Sequence, residues 1–205
     1  MSASRDTTAR WNHNIHYHPL ILGAVPAGAR DALDVGCGEG MLARALRRTV
    51  PRVVGIDPDP DGIELARSHG DDVEYVLGDF LAHPFAPESF DMVTAVATLH
   101  HLDAAAALDR VRELLRPGGR LVVVGLARGG GPAGLPYELA GLVAHRWHTL
   151  TRPYWEHPSP VAAPAQTYAA MRELARRTLP GARFRRHALW RYSLCWTKSG
   201  EGVLG

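Results

Sequence analysis

Three glycines at alternate positions close an apolar run in Leu33-Asp34-Val35-Gly36-Cys37-Gly38-Glu39-Gly40. The run Ala32, Leu33 and Val35 predicts a buried parallel strand, and a helical pattern begins at Met41. Glycines so spaced let the chain turn sharply and leave main chain open to a ligand where a side chain would stand in the way. This strand–turn–helix unit is how an open α/β sheet makes a cofactor crevice at the carboxyl ends of its strands.

The rest of the chain supplies the sheet that such a unit needs. Strand signals fall at residues 31–35, 52–56, 73–77, 90–96 and 120–126, with helical patterns at 41–48, 58–70 and 104–116 between them. This alternation predicts a mostly parallel sheet. Residues 90–96 are nearly continuously apolar, as a strand covered on both faces requires. Asp103 is placed to cap the helix after it, and Pro117-Gly118-Gly119 to end that helix. An N-terminal helix is expected over 11–24, with Ile15, Leu20 and Leu22 turned inward. The pattern fails over 127–165, rich in Gly and Pro, with one candidate helix near 135–150; a stretch of this kind reads as an insert or cap on the substrate side. A helix over 168–179 follows, then strands at 183–188 and 190–198 joined so closely that they must be antiparallel. Trp190 and Trp196 are expected to pack on the sheet, and Arg183, Arg185 and Arg186 to face water.

Composition narrows the class. The chain has 205 residues, 46% hydrophobic, with a net charge of +2, which is enough for one domain with a full core. Near-balanced charge gives no reason to expect nucleic acid or a membrane as partner. Two cysteines make neither a disulfide framework nor a metal-ligand pattern, and a cytoplasmic location is the simplest expectation. Residues 1–10 are polar, without the apolar core of a leader. His13, His16 and His18 lie together but lack supporting Cys or carboxylates, so no metal is expected.

Two cofactors compete for the glycine turn. The dinucleotide fingerprint wants Gly-x-Gly-x-x-Gly; counted from Gly36 its last position is Met41, and counted from Gly38 it is Ala43, which only the looser Gly/Ala form admits. The second candidate rests on an ordered set: Asp34-x-Gly-x-Gly-x-Gly40, Asp57 ending the second strand, Gly78-Asp79 ending the third, Phe90-Asp91 opening the fourth, Leu99-His100-His101-Leu102, and Leu115-Arg116-Pro117-Gly118-Gly119. Over residues 30–126 this set resembles the class I S-adenosylmethionine-dependent methyltransferases, particularly their small-molecule group. The resemblance implies a Rossmann-like, doubly wound, seven-stranded sheet, mostly parallel with a C-terminal antiparallel strand, and a small helical cap. It implies a single domain over 1–205, with residues 1–25 as a lid.

The resemblance also implies a site. Gly36, Cys37, Gly38 and Gly40 would line the methionine and ribose portion, with Asp34 near the amino group. Asp57, followed by Pro58, would accept from both ribose hydroxyls. Gly78, Asp79 and Phe80 would meet the adenine, and Ala95, Val96 and Ala97 would lie by the methionyl group. Each acid has a plainer role open to it, in capping or turning the chain. Cys37 reads equally as a small apolar filler. His100 and His101 follow the fourth strand at the crevice mouth, where an imidazole can act as general base or simply pack. His16, Tyr17, His101, Tyr137 and Trp155 are the candidate contacts to a small-molecule methyl acceptor. Residues 97–100 (Ala-Thr-Leu-His) lack the Asn/Asp-Pro-Pro-Tyr of amino-methylating DNA enzymes. The expected protein is thus a methyltransferase, monomeric or homodimeric, of the kind that modifies bacterial secondary metabolites. A non-catalytic S-adenosylmethionine-binding partner protein and an NAD-dependent oxidoreductase are the alternatives.

Overall fold

A computed structural model describes residues 10–70, 72–129, 134–155 and 163–200. One sheet organises them. Its strands are β1 (Asp31–Val35), β2 (Arg52–Asp57), β3 (Glu74–Leu77), β4 (Phe90–Val96), β5 (Leu115–Gly125), β6 (Arg183–Arg186) and β7 (Tyr192–Thr197), in the order β3-β2-β1-β4-β5-β7-β6. Strands β1 to β5 pair in parallel, and β7 runs antiparallel to both β5 and β6. The sequence succession leaves β1 on one side toward β2 and returns on the other as β4. That reversal opens a crevice above the tips of β1 and β4.

Side chains alternate along each strand, so the sheet carries a core on each face. Leu33, Val35, Val54, Ile56, Val93, Ala95, Leu121 and Val123 point to one face. Helices α4 (Ala104–Leu114) and α6 (Tyr168–Thr178) cover it, with Phe80 and Phe85 filling the space beside them. Ala32, Val53, Met92, Val122 and Val124 point to the other face, under α1 (His18–Leu22), α2 (Met41–Leu46) and α3 (Pro60–Ser68). Leu33, Leu46, Ile56, Ile63, Leu108, Leu114 and Leu121 are among the largest side chains removed from water, each worth about 1.5–3 kcal/mol relative to exposure. The remaining helix, α5 (Leu135–Thr151), touches the second core through the partly buried Ala144 and fully buries only Gly141.

Local chemistry sets the element ends. Asp59 and Asp103 cap α3 and α4, their carboxylates accepting from the first free amides of each helix. Asp91, the acid opening β4, accepts from the amides of Arg30 and Asp31 at 2.7 and 3.0 Å. Arg116 then bridges Asp31 and Asp91 at 2.7 and 3.0 Å, so one acid and one arginine fix the start of β1 to β4 and β5. These contacts hold Asp91 below the usual carboxylate range despite partial burial.

Several expectations need correction. The N-terminal helix shrinks to a single 3-10 turn, Ile15–Tyr17, and the short α1, because Pro19 and Gly23-Ala24 leave little helical length. Leu20 and Leu22 pack against the core as expected, and Ile21 between them is wholly buried. Strand β5 starts at Leu115, ahead of the Pro-Gly-Gly, with a register shift against β4 absorbing the turn-like residues. Trp196 packs in the core, but Trp190 leaves the sheet: it sits in the β6–β7 connection at φ 56° and donates to Glu138 of α5 at 2.7 Å. Arg183 and Arg185 are exposed, whereas Arg186 lies over the rings of Tyr137 and Tyr168 at 4.2 and 3.9 Å, a cation–π arrangement.

Gly125 pairs with Tyr192 across β5 and β7. A Cβ there would sit 2.3 Å from Cζ of Tyr192, which is wholly buried and has no room to retreat. Gly125→Ala is expected to lower stability by about 1–3 kcal/mol through overpacking, measured as a fall in denaturant midpoint at unchanged slope.

Candidate functional site

The glycine turn is forced into its shape by what surrounds it. Gly36 and Gly40 adopt φ of 69° and 74°, a region costly to other residues. A Cβ on Gly36 would lie 2.1 Å from Thr98 Oγ1, and one on Gly40 2.2 Å from the Tyr75 hydroxyl oxygen. Thr98 itself donates toward the carbonyls of Val35 and Val96 at 3.0 Å each, tying the tips of β1 and β4 together. Just before it, Ala97 holds φ 52° although it carries a Cβ, and its amide is fixed to the Val124 carbonyl at 2.8 Å. Strain of this kind persists only where neighbours over-determine the backbone, and it gathers at sites.

Above this turn lies a crevice partly open to solvent. Its floor is Asp34, Gly36, Cys37 and Val96, with Glu39, Met41 and Leu42 from the start of α2. Its roof is the N-terminal segment, through Asn12, Asn14, Ile15 and His18, with Trp155 from beyond α5. The roof is tied down at one edge. Trp155 donates its amide to the Trp11 carbonyl at 2.9 Å, and Arg10 reaches from the Trp155 ring to the Glu39 carboxylate at 3.2 Å.

Asp34 dominates the electrostatics. Its side chain sits on the sheet floor, 2% exposed, with the Thr94 hydroxyl donating to it at 2.7 Å. Burial pushes its carboxyl up to about 7, and the Asp57 charge adds to this, against the hydrogen bonds from Thr94 and the Ala43 amide. Asp57 is shared by the two loops it joins: one oxygen accepts from the Gly38 amide at 2.8 Å, the other from the Asp59 amide at 2.9 Å. Each oxygen keeps a further lone pair. Asp79 is exposed and accepts from the Leu81 amide at 2.9 Å, which turns the chain after β3. Phe80 points into the core.

The structure therefore gathers Asp34, Gly36, Cys37 and Val96 in one crevice, with Gly38, Gly40, Ala95 and Ala97 outside its lining; it puts Asp57 against the back of the turn and leaves Gly78 and Asp79 on the neighbouring loop. Cys37 is buried and its thiol is pushed up by that burial, in keeping with a packing role. His100 and His101 share a 3-10 turn after β4, with ring centroids 4.0 Å apart. His100 is half-buried with no partner for Nδ1 among the described residues. Burial, with the charges of His101 and Arg191, lowers it to about 4; His101 is exposed.

The candidate acceptor contacts are not all brought together. Trp155 lines the crevice. Tyr17 is buried and donates to the Ala188 carbonyl at 2.6 Å. His16 contacts the His148 ring at 4.9 Å, and Tyr137 lies under Arg186. Asn12 and Asn14 were not singled out in the sequence, yet both line the crevice. Asn12 Oδ1 accepts from the amides of Asn14 and Ile15 at 2.9 Å, a turn-opening asparagine of a readable kind. Asn14 Oδ1 accepts from Nη2 and Nε of the buried Arg191 at 2.8 and 3.1 Å, a pairing across 177 residues that carries no local signal.

A methyltransferase-domain family matches residues 33–123, the segment holding the turn, all three candidate acids and the histidine pair. An uncharacterized methyltransferase of Mycobacterium tuberculosis strain H37Rv is 35% identical over 190 residues, covering 91% of this chain and 96% of that protein. A ubiquinone biosynthesis O-methyltransferase of Xylella fastidiosa strain 9a5c is 42% identical over 107 residues, but the match takes in 48% of this chain and 43% of the enzyme. Among solved structures, a SAM-dependent methyltransferase of Methanosarcina mazei superposes with a TM-score of 0.63 at 20% identity, covering 89% of this chain and 98% of that one, a likeness of fold.

A buried carboxyl raised to about 7 binds its proton more tightly in the folded chain than in the unfolded one. It therefore favours folding at acid pH, and that contribution is lost as pH rises from about 4 through about 7. Asp34→Asn, which keeps an oxygen for Thr94, is expected to raise the unfolding temperature of the ligand-free protein at pH 8 and leave it nearly unchanged at pH 4. Thermal unfolding across that range measures it.

Proposed function

The chain belongs to the class I S-adenosylmethionine-dependent methyltransferases, and on that premise we propose that it transfers a methyl group from S-adenosylmethionine to an oxygen, nitrogen or carbon of a small molecule. The observation that carries this reading is a buried carboxyl, Asp34, beside Gly36 on the floor of a crevice with no Lys or Arg among its lining residues. S-adenosylmethionine supplies an electrophilic methyl carbon on a positive sulfur and carries a cationic amine but no phosphate. Such a molecule suits that crevice better than a dinucleotide.

In this reading Asp34 takes the amine of the ligand, whose charge stabilises the carboxylate and draws its pKa down, so that binding near neutrality releases a proton. Gly36, Gly38 and Gly40 leave main chain exposed along the ligand. Asp57 offers the spare lone pairs of its carboxylate to the ribose hydroxyls, with Pro58 stiffening the chain behind it. Gly78 and Asp79 receive the adenine, beside the loop that Phe80 anchors in the core. The carbonyls of Ala95, Val96 and Ala97, at the strained tip of β4, face the methionyl end.

Methyl transfer is an in-line displacement, so most of the protein's work is alignment, worth up to ~7–11 kcal/mol in favourable model reactions. The N-terminal roof, with Asn12, Asn14 and Trp155, holds the acceptor against the crevice and excludes water. Where the acceptor must lose a proton, His101 is the better base, because His100 at about 4 is a poor proton acceptor near neutrality. Likeness to O-methyltransferases supports an oxygen acceptor.

The test is a thermal-shift comparison. S-adenosylhomocysteine at a hundred times its dissociation constant is expected to add about 2.7 kcal/mol of stability, and NAD none. Asp57→Ala is expected to remove most of that gain at the same ligand concentration. Stabilisation by NAD alone overturns the reading, and an unchanged shift in Asp57→Ala removes that residue from the ribose.

A further inference from the structure

An asparagine side chain has one end that accepts hydrogen bonds and one that donates them, and its partners decide which way round it sits. Backbone amides and guanidinium groups only donate, so the end that meets them is the oxygen. Asn12 Oδ1 accepts from the amides of Asn14 and Ile15, each at 2.9 Å. Asn14 Oδ1 accepts from Nη2 and Nε of Arg191 at 2.8 and 3.1 Å. Each Nδ2 is thereby turned away from these partners, and neither meets an acceptor among the described residues. Both asparagines line the roof of the crevice, across from Asp34 on its floor. A cation stands behind them. Arg191 is 8% exposed, stays charged near neutrality although burial lowers it to about 10, and has no carboxylate partner among the described residues. The lining of the crevice itself holds no Lys or Arg, and its second carboxylate, Glu39, is engaged by Arg10 at 3.2 Å.

We propose that Arg191 is a positioning residue for the cofactor: by holding Asn14 Oδ1 it turns the Nδ2 of Asn14, together with that of Asn12, to donate to the carboxylate at the amino-acid end of the ligand. The inference rests on S-adenosylmethionine as that ligand. Its amine and its carboxylate share one carbon. With the amine at Asp34, the carboxylate lies in the same crevice, on the side away from the Asp34 charge that repels it. The side-chain donors of the roof are Asn12, Asn14 and His18, and His18 is neutral because burial lowers it to about 4. An amide whose oxygen is bonded to a guanidinium is polarised, and its N–H groups donate more strongly. The charge of Arg191 thus reaches the carboxylate through one side chain. It does so without standing beside the ligand's amine and positive sulfur, which a cation in the crevice would repel. A residue needed only to tether the roof to the edge of the sheet would not have to be asparagine. An aspartate at position 14 would accept from Arg191 with a charge-assisted bond of greater strength. What asparagine adds over aspartate is the donor. In this arrangement the bound cofactor also steadies the roof that receives the acceptor.

The test is calorimetric titration of the full chain with two ligands, alongside thermal unfolding. One ligand is S-adenosylhomocysteine; the other is 5′-(3-aminopropylthio)-5′-deoxyadenosine, the same molecule without its carboxylate. The wild type is expected to bind the first about tenfold more tightly or better, as the loss of hydrogen bonds to a charged group implies. Asn14→Asp keeps an oxygen for Arg191 and puts a negative oxygen where the donor was. It is expected to unfold at the wild-type temperature or above, to lose about tenfold or more in affinity for S-adenosylhomocysteine, and to bind the carboxylate-free analogue no more weakly than wild type. Arg191→Lys keeps the charge but not the two-pronged grip, and is expected to weaken S-adenosylhomocysteine several-fold and the analogue little. A role confined to tethering the roof moves both ligands together. Equal losses for the two ligands in Asn14→Asp therefore overturn the proposal, as does unchanged affinity of that variant for S-adenosylhomocysteine, or equal affinity of the wild type for both. A wild type that binds neither ligand overturns the cofactor reading itself, and this inference with it.

Discussion

The hydrogen bond from Thr94 to Asp34 lies at the middle of the molecule in every sense that matters to its architecture. It joins side chains of β1 and β4, the two strands between which the order of the sheet reverses. An ionisable carboxyl in that position has lost its water and regained only part of the loss from a hydroxyl and one amide. A fold selected for stability alone would place an apolar side chain there, as it does at Leu33 and Val35 on either side. The rest of the structure accommodates the exception. Thr98 ties the two strand tips, the glycine turn bends around it, and Asp57 fastens the turn to β2 through the Gly38 amide. Removing solvent from Asp34 and holding the turn open are thus one structural task, done by neighbours on three strands.

How legible this was depended on how local each cause is. Strand β4 was readable to the residue, because an apolar run covered on both faces admits no other assignment. The Asp103 cap was readable because its partners lie within a few residues; the glycine turn was readable from its own residue types, although Asp57, Tyr75 and Thr98 that surround it are distant in sequence. The start of β5 was hidden: Pro117-Gly118-Gly119 reads as punctuation, yet the pull of pairing with β4 extends the strand back to Leu115. Trp190 and Arg186 were misplaced for a related reason. Alternation along a strand tells which face a side chain takes, but it is silent about a helix that arrives from elsewhere to meet it. Glu138 and Tyr137, some 50 residues away, decided both.

The same limit governs the site. The cofactor half was visible because strand tips are marked in sequence by Gly and Asp. The roof was visible only as an aromatic, histidine-rich segment without a destination. Its destination is set by pairings such as Asn14 with Arg191 and His13 with His145, separated by 177 and 132 residues. Arg191 shows how closely the roof depends on them. Burial lowers it to about 10, and it has no carboxylate partner among the described residues. Its charge is instead dispersed over Asn14 and the carbonyls of Leu189 and Trp190. The N-terminal segment is therefore held to the far edge of the sheet by a cation that needs it.

This division has a functional consequence. The floor of the crevice rests on the packed sheet, where side chains are fully buried and a displaced atom is felt by many neighbours. The roof is anchored by the buried rings of Trp11 and Tyr17 and the Arg10–Glu39 pair, and otherwise rests on imidazoles and a few hydrogen bonds, with α5 behind it carrying no large buried side chain. Elements with few buried apolar contacts open at lower free energy than the core beneath them. A ligand common to many reactions needs the first kind of surface, because its shape does not change. An acceptor that must enter, be aligned and leave needs the second. Within the roof, His13 contacts His145 at 2.9 Å, and burial and neighbouring positive charge lower His13 to about 4, which keeps it neutral near physiological pH.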